Sequence, residues 1–134
     1  MAVIADQIAK AAAHYFLSDR SMLEVVKSFF YLGYTENSGA GFGILQGQNS
    51  IIMWLTIAFI GFVFYYYGKL PNDKKVVAFA ALMLGGAVGN LLDRVLLGAV
   101  RDFIAFTFWP SFNIADMALT VGAIGLLAYF WKEK

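Results

Sequence analysis

The sequence predicts an all-α membrane protein with four transmembrane helices, and three observations lead to this fold class. Of the 134 residues, 60% are hydrophobic and only 14% are charged, whereas about 25% are charged in an ordinary soluble domain. The apolar residues form blocks at residues 51–67, 76–92 and 114–131, each close to the roughly 20 residues that cross a bilayer as a helix. These blocks show almost no polar stripe, whereas a helix packed on the core of a soluble protein has a polar face toward water.

The first predicted helix covers about residues 1–16. It is short for a membrane span and carries Asp6, Gln7 and Lys10. Because Asp6 interrupts the apolar stretch and no basic region precedes it, a cleavable signal peptide is a poor interpretation. Residues 17–48 then mix charged and aromatic side chains, and the aromatic run at residues 27–34 is typical of a strand.

Three longer helices are predicted to complete a single domain over residues 1–134. They are expected at about residues 50–68, 75–95 and 113–131. Lysines concentrate in the loop around Pro71 and in the C-terminal tail, and such segments usually face the cytoplasm. The N-terminus is therefore expected inside, and the connections before the second and fourth helices are expected outside.

Composition excludes several classes of function. The formal net charge is +1, which gives no basis for a nucleic-acid partner. Cysteine is absent and His14 is the one histidine, so disulfides, thiolate chemistry and the usual metal sites are not expected. We expect no metal and no cofactor.

Polar residues cluster at two helix ends that should face outward together. Asn90, Asp93 and Arg94 have i, i+3 and i+4 spacing, which places them along one face of the third helix. Asn113 and Asp116 repeat the i, i+3 spacing at the start of the fourth helix. Both groups can therefore converge on one rim of the bundle.

A purely structural interpretation explains some of these residues equally well. Asp6 and Lys10 have the i, i+4 spacing of an ion pair within a helix. Asp93 can be neutralised by its neighbour Arg94, and Asn113 can cap the fourth helix.

Asp102 and Asp116 are harder to explain as structural residues. Arg101 precedes Asp102, but adjacent side chains on an extended segment point to opposite faces, and no basic residue lies within helical reach of Asp116. Two carboxylates within about 3 Å of one another cannot both ionise. Such a pair can activate water and protonate an amide carbonyl. A carrier that binds protons or cations without catalysis is the alternative, because carboxylates within membranes serve both purposes.

Five motifs in order resemble lipoprotein signal peptidase (signal peptidase II), a family of membrane aspartic proteases. They are DQIAK, ENSGAGFGIL, GGAVGNLLDR, GAVRDFI and WPSFNIADMALTVG, at residues 6–10, 36–45, 85–94, 98–104 and 109–122. The resemblance covers nearly the whole chain, and five ordered motifs make it specific.

The resemblance implies a role for each matching residue. Asp102 and Asp116 match the catalytic pair, and Asp6 with Lys10 matches a structural pair. The residues that match substrate-binding or site-supporting positions are Asn37, Asn90, Asp93, Arg94 and Asn113.

The resemblance also implies partners and a location. The substrate would be a diacylglyceryl-modified prolipoprotein, cut just before its lipobox cysteine. Residues 17–48 would form a small extracytoplasmic β-cradle between helices 1 and 2. The enzyme would lie in the bacterial cytoplasmic (inner) membrane, with its active site near the outer face. Apart from the resemblance, we expect a monomer, because the small-residue helix faces can pack within one four-helix unit. A catalytically silent relative is less consistent with the retained aspartates.

Overall fold

A computed structural model describes residues 1–40 and 44–132, and these residues form four helices and two pairs of strands. The four helices lie where the sequence predicts helices. In chain order the elements are α1 (Ala2–Leu17), β1 (Leu23–Val26), β2 (Phe30–Asn37), α2 (Asn49–Tyr67), α3 (Lys74–Leu97), β3 (Val100–Phe106), β4 (Trp109–Phe112) and α4 (Ile114–Lys132).

Three of the four helices are long and apolar enough to cross a membrane. These are α2, α3 and α4, with 19, 24 and 19 residues. The helix α1 has 16 residues and includes Asp6, Gln7 and Lys10, so it does not reach the same length and composition. The prediction of four spans is therefore supported for three helices.

The sheet contains the predicted strands between the first two helices and adds two strands from another connection. Its strand order is β1-β2-β3-β4, with antiparallel neighbours throughout. The hairpin β1–β2 precedes α2, whereas β3 and β4 come from the connection between α3 and α4. A lone two-stranded hairpin is marginally stable, and two further strands provide the pairing that it lacks.

The strand predicted at residues 27–34 is shifted along the chain. Residues 27–29 form the turn of the hairpin, and β2 runs from Phe30 to Asn37. In β2, Thr35 pairs with Asp102 of β3, and Phe30 pairs with Phe106. This register brings the ENSGAGFGIL motif beside the GAVRDFI motif, although residues 41–43 of the former lie outside the described residues.

The helices α3 and α4 approach closely because glycine occupies their interface. A Cβ atom on Gly122 would lie 2.5 Å from the Phe79 carbonyl oxygen and 2.6 Å from the Met83 nitrogen. A Cβ on Gly86 would lie 2.7 Å from the Leu119 nitrogen. Small residues that let backbones touch are typical of helix packing in membranes.

The bundle buries charged side chains among small apolar ones and exposes large apolar side chains on its exterior. Asp6 and Lys10 are completely buried on the inner face of α1, whereas Ile8 on its outer face is 66% exposed. Large apolar side chains are likewise exposed along α2 and α4, including Trp54, Leu127 and Trp131. An exposed apolar surface of this size is unfavourable in water but is suited to the hydrocarbon of a bilayer.

Candidate active site

The buried ammonium of Lys10 is surrounded by oxygen acceptors. Its Nζ atom lies 2.8 Å from Asp6 Oδ2 and 3.3 Å from Asp93 Oδ2, and it donates to Asn90 Oδ1 at 3.0 Å. An ammonium has three N–H donors, so this site satisfies all of them. The interaction also joins α1 to α3.

Arg101, and not Arg94, is the arginine that pairs with Asp93. The Arg101 backbone N, Nε and Nη2 atoms donate to the Asp93 carboxylate at 2.9, 3.1 and 2.7 Å. These hydrogen bonds hold the pKa of Arg101 above its usual value. The expected pairing of Asp93 with Arg94 is therefore wrong, because consecutive residues on a helix do not face the same side.

The interior network balances its charges. Two carboxylates, Asp6 and Asp93, face two cations, Lys10 and Arg101. Gln7 joins them, since its amide nitrogen donates to Asp93 Oδ1 at 3.1 Å and its oxygen accepts from Arg101 at 2.8 Å. Buried charges are tolerated when they are paired and hydrogen-bonded in this way.

Asp6 also fixes the start of α4. Its Oδ1 atom accepts a hydrogen bond from the Ala115 backbone nitrogen at 2.8 Å, which satisfies one of the free N–H groups of that helix end. Gly89 on α3 leaves space for this carboxylate, because a Cβ there would lie 2.8 Å from Asp6 Oδ2. The charge network thereby positions the first turn of α4.

Asn113 and Asp116 form a reciprocal cap at the N-terminus of α4. The Asn113 side-chain oxygen accepts from the Asp116 backbone nitrogen at 2.9 Å, and Asp116 Oδ2 accepts from the Asn113 nitrogen at 3.2 Å. This is the geometry of a capping box. Asn90 Nδ2 donates to the other Asp116 oxygen at 2.7 Å, so both oxygens of this carboxylate are held.

Asn113 links the two aspartates that the sequence singles out. Its fully buried Nδ2 donates to Asp102 Oδ1 at 2.7 Å while its backbone holds Asp116. Asn37 donates to Asp102 Oδ2 at 3.3 Å. The structure thus brings Asp102 and Asp116 together through asparagine side chains, with α3, α4, β2 and β3 all contributing.

The carboxyl of Asp102 has a strongly altered acidity. The residue is only 2% exposed, and burial, followed by the negative charge of Asp116, raises its pKa to about 7. Hydrogen bonds from Asn113 and Asn37 lower the pKa and only partly offset this rise. At neutral pH the carboxyl therefore exchanges between its protonated and ionised forms.

Arg94 contacts backbone and amide groups. Its guanidinium donates to the Gly39 carbonyl oxygen at 2.8 Å and to Asn49 Oδ1 at 3.3 Å. Asn49 returns a hydrogen bond to the Arg94 carbonyl at 3.2 Å. Arg94 therefore ties the segment after β2 and the start of α2 to α3.

Each aspartate opens onto a different cavity. Asp116 lines a cavity of about 370 Å³. The other residues that line it are mostly apolar: Trp109, Phe112, Met117, Thr120 and Val121. Asp102 lines a polar cavity of about 240 Å³ with Thr35, Glu36, Asn37, Gln46, Pro110 and Ser111. Residues of β4 line both cavities, so this strand lies between them.

Sequence reasoning missed three residues of this region: Gln7, Asn49 and Arg101. Gln7 and Arg101 lie inside motifs that were noted for other residues, and their polarity beside apolar blocks was an available signal. For Asn49 no spacing indicated the contact, because its partner Arg94 is 45 residues away. Among the described residues, no group of three or more His, Asp or Glu side chains is arranged to hold a metal ion.

Comparison with known proteins assigns the chain to a family. The peptidase A8 family model, described as signal peptidase (SPase) II, matches residues 1–132. A lipoprotein signal peptidase of Caldanaerobacter subterraneus is 43% identical over 134 residues, covering 98% of this chain and 91% of the relative. The corresponding protein of Halothermothrix orenii is 35% identical over 132 residues, with the same two coverages of 98% and 91%.

Solved structures agree with the sequence comparison. One structure of a bacterial membrane enzyme superposes with a TM-score of 0.88 at 31% identity and covers 98% of this chain and 84% of its own. A second reaches a TM-score of 0.84 at 31% identity and covers 99% and 89%. The chain therefore belongs to the signal peptidase II family, and it is a peptidase.

Proposed function

We propose that this protein is a membrane aspartic endopeptidase that uses Asp102 and Asp116 to cleave signal peptides from diacylglyceryl-modified prolipoproteins, just before the lipobox cysteine. The observation that carries the proposal is the contact of Asn113 with both carboxylates. The side-chain amide of Asn113 donates to Asp102 and its backbone nitrogen donates to Asp116, so one residue of a helix cap holds two acidic groups from different elements. Family membership favours this function over the proton- or ion-coupled carrier.

The two carboxyl groups differ in a way that suits acid–base catalysis. Asp102 takes the shared proton, because it is almost completely buried and its pKa is raised to about 7. Asp116 lies in the first turn of α4, where the helix dipole stabilises negative charge, and it receives a hydrogen bond from Asn90. Asp116 is therefore the base and Asp102 the acid.

The reaction conserves atoms and charge. A water oxygen attacks the scissile carbonyl carbon while Asp116 removes a proton from that water and Asp102 donates its proton to the carbonyl oxygen. The resulting diol collapses as the C–N bond breaks. The leaving nitrogen takes the proton from Asp116, and Asp102 recovers a proton from a diol hydroxyl.

The two cavities fit the two parts of such a substrate. The larger, apolar cavity beside Asp116 suits acyl chains and the apolar end of a signal peptide. The polar cavity beside Asp102 suits the extended chain that follows the cysteine, and Asn37 in its wall can bind peptide groups. The two aspartates are supported by the polar side chains of Asn90, Asp93, Arg94 and Asn113.

We place the protein in the bacterial cytoplasmic membrane with α1 as a fourth crossing and the N-terminus inside. The support for α1 is its inverted pattern, with Asp6 and Lys10 buried and Ile4 and Ile8 exposed. The loop before α3 and the end of α4 carry Lys69, Lys74, Lys75 and Lys132, and Lys134 lies outside the described residues. The sheet and both aspartates then lie toward the outer face.

A defined cleavage assay tests this function. Purified protein in lipid is expected to cleave a diacylglyceryl-modified prolipoprotein at one bond, leaving the modified cysteine as the new N-terminal residue, as measured by mass spectrometry. The same precursor without the lipid is the matched control and is expected to be cleaved far more slowly, because acyl chains supply binding energy that positions the amide. Equal cleavage of both precursors would contradict the proposed role of the apolar cavity.

The rate of cleavage is expected to fall as the pH rises above about 7. The shared proton is lost once Asp102 ionises, and burial sets that pKa at about 7. Asn37→Ala removes a hydrogen bond that lowers the pKa of Asp102, so its decline is expected at higher pH than in the wild type. Single-turnover rates measured from pH 5 to 9 would check both results, and a decline at the same or lower pH in Asn37→Ala would contradict the assignment.

A further inference from the structure

A third cavity lies at the end of the bundle opposite the two aspartates. It has a volume of about 220 Å³ and lies between the beginning of α3 and the end of α4. Lys75 and Lys132 line it together with Phe79, Gly125, Ala128 and Tyr129. Nothing in the proposed cleavage reaction uses these residues.

The charge around this cavity is positive. Lys75 and Lys132 are both exposed, and Lys69 and Lys74 lie nearby along the chain. The one carboxylate near them among the described residues is Asp73, and it is already engaged. Its Oδ1 accepts from the Lys75 backbone nitrogen at 2.7 Å, and its Oδ2 accepts from the Tyr129 hydroxyl at 3.3 Å. In the sequence, residues 69–75 and 132–134 together hold five lysines against two acidic side chains, Asp73 and Glu133. These segments therefore carry an excess of positive charge.

The remaining walls of the cavity are apolar. Phe79 and Gly125 meet at its base, where a Cβ on Gly125 would overlap the Phe79 ring. Ala128 is exposed on the outer surface of α4. The cavity thus combines two cationic groups at the end of the bundle with a shallow apolar surface that continues along the helices into the span.

We propose that this cavity binds an anionic phospholipid of the surrounding bilayer. The lipid phosphate lies between the ammonium groups of Lys75 and Lys132, and an acyl chain lies against Phe79, Gly125 and Ala128. Basic pockets between transmembrane helices are known to suit acidic head groups at the cytoplasmic side. The apolar wall is the reason to prefer a lipid over a free phosphate ion.

Such a lipid would hold together the two helices that carry Asn90 and Asp116. Its binding does not depend on catalysis, so lipid retention and cleavage can be measured separately. A variant that loses lipid retention can still be tested for cleavage, and a variant that loses cleavage can still be tested for lipid retention. The inference depends on the proposed membrane location but not on the identity of the substrate.

Native mass spectrometry of protein released from nanodiscs can test the proposal. The nanodiscs would contain equal amounts of phosphatidylglycerol and phosphatidylcholine, and the wild type is expected to retain phosphatidylglycerol preferentially. The double variant Lys75→Gln/Lys132→Gln is expected to lose this preference by about fivefold for each lysine, and so about 25-fold in total. The control Lys69→Gln/Lys74→Gln removes the same charge outside the cavity and is expected to reduce the preference by clearly less, because neither lysine lines the proposed phosphate site.

Three outcomes would overturn the proposal. Equal loss in both double variants would show that only general surface charge attracts the lipid. Displacement of the lipid by excess inorganic phosphate would show a site for a free anion. Equal retention of both lipids by the wild type would show no selectivity. Thermal unfolding in neutral detergent checks that both variants are folded, which is expected because their lysines are exposed.

Discussion

Asp102→Asn and Asp116→Asn are each expected to lower the rate of prolipoprotein cleavage by about 10²- to 10⁴-fold, the usual contribution of a positioned acid or base. Asparagine has nearly the same shape as aspartate, so the amide of Asn113 keeps an acceptor at residue 102. In the mechanism that we propose, Asp102→Asn removes the group that donates a proton to the carbonyl oxygen, and Asp116→Asn removes the group that takes a proton from water. Single-turnover cleavage of the lipid-modified precursor measures this effect directly.

Asp73→Asn is the matched control for both variants. Asp73 caps α3 at the far end of the bundle, and asparagine is an equally good N-cap, so cleavage and stability are expected to stay at the wild-type level. Wild-type cleavage by either Asp102→Asn or Asp116→Asn would show that the pair is not the catalytic one. A similar loss in Asp73→Asn would show that the assay responds to general damage.

Loss of activity in Asp102→Asn is not expected to come from unfolding. The pKa of Asp102 is raised from 3.8 to about 7 in the folded protein, so this group contributes most to stability below pH 4, and that contribution is lost as the pH rises to 7. Above pH 7 the wild type buries a charge that the variant lacks. At pH 8 the variant should therefore unfold at a temperature no lower than the wild type.

The second large effect is expected in stability, from Lys10→Met. This substitution removes the completely buried cation between Asp6 and Asp93 and leaves their charges without full compensation. Breaking a buried ion pair on one side costs about 3–5 kcal/mol of unfolding free energy. Unfolding followed by circular dichroism in mixed micelles would measure the loss.

A double variant separates charge from packing in this network. Adding Asp6→Asn to Lys10→Met removes the unpaired negative charge but keeps an acceptor for the Ala115 nitrogen, so the double variant is expected to be more stable than Lys10→Met alone. Lys69→Met, which removes an exposed lysine, is the control and should change stability by less than about 1 kcal/mol. A Lys10→Met protein as stable as that control would contradict the structural role of the network.

The helices were predictable because their signal is local. Length and continuous hydrophobicity define a membrane span without reference to any other part of the chain, and α2, α3 and α4 carry that signal. For α1 the same signal is incomplete, because the helix gives its inner face to Asp6 and Lys10. The ion pair of these two residues follows from i, i+4 spacing, which is also a local relation.

The sheet and the polar contacts were harder to predict because they join distant parts of the chain. In the sequence, the residues of β3 resemble a connecting segment. They form a strand in the folded protein because β2 pairs with them. Neither spacing nor composition indicates that Asp93 faces Arg101 and turns away from Arg94. That choice depends on the path by which β3 leaves α3, which the tertiary structure alone defines.

The sequence by itself determined the class of protein, the positions of the helices and the pair of aspartates that stand out. Polar side chains are costly in hydrocarbon, so long apolar blocks mark the helices, and an aspartate at the edge of such a block stands out in the sequence alone. Only the tertiary structure decided which groups hold Asp102 and Asp116 and which cavity each one faces. Those contacts form when α3, α4 and β3 pack around Asn113, and no pattern within a single segment contains that information.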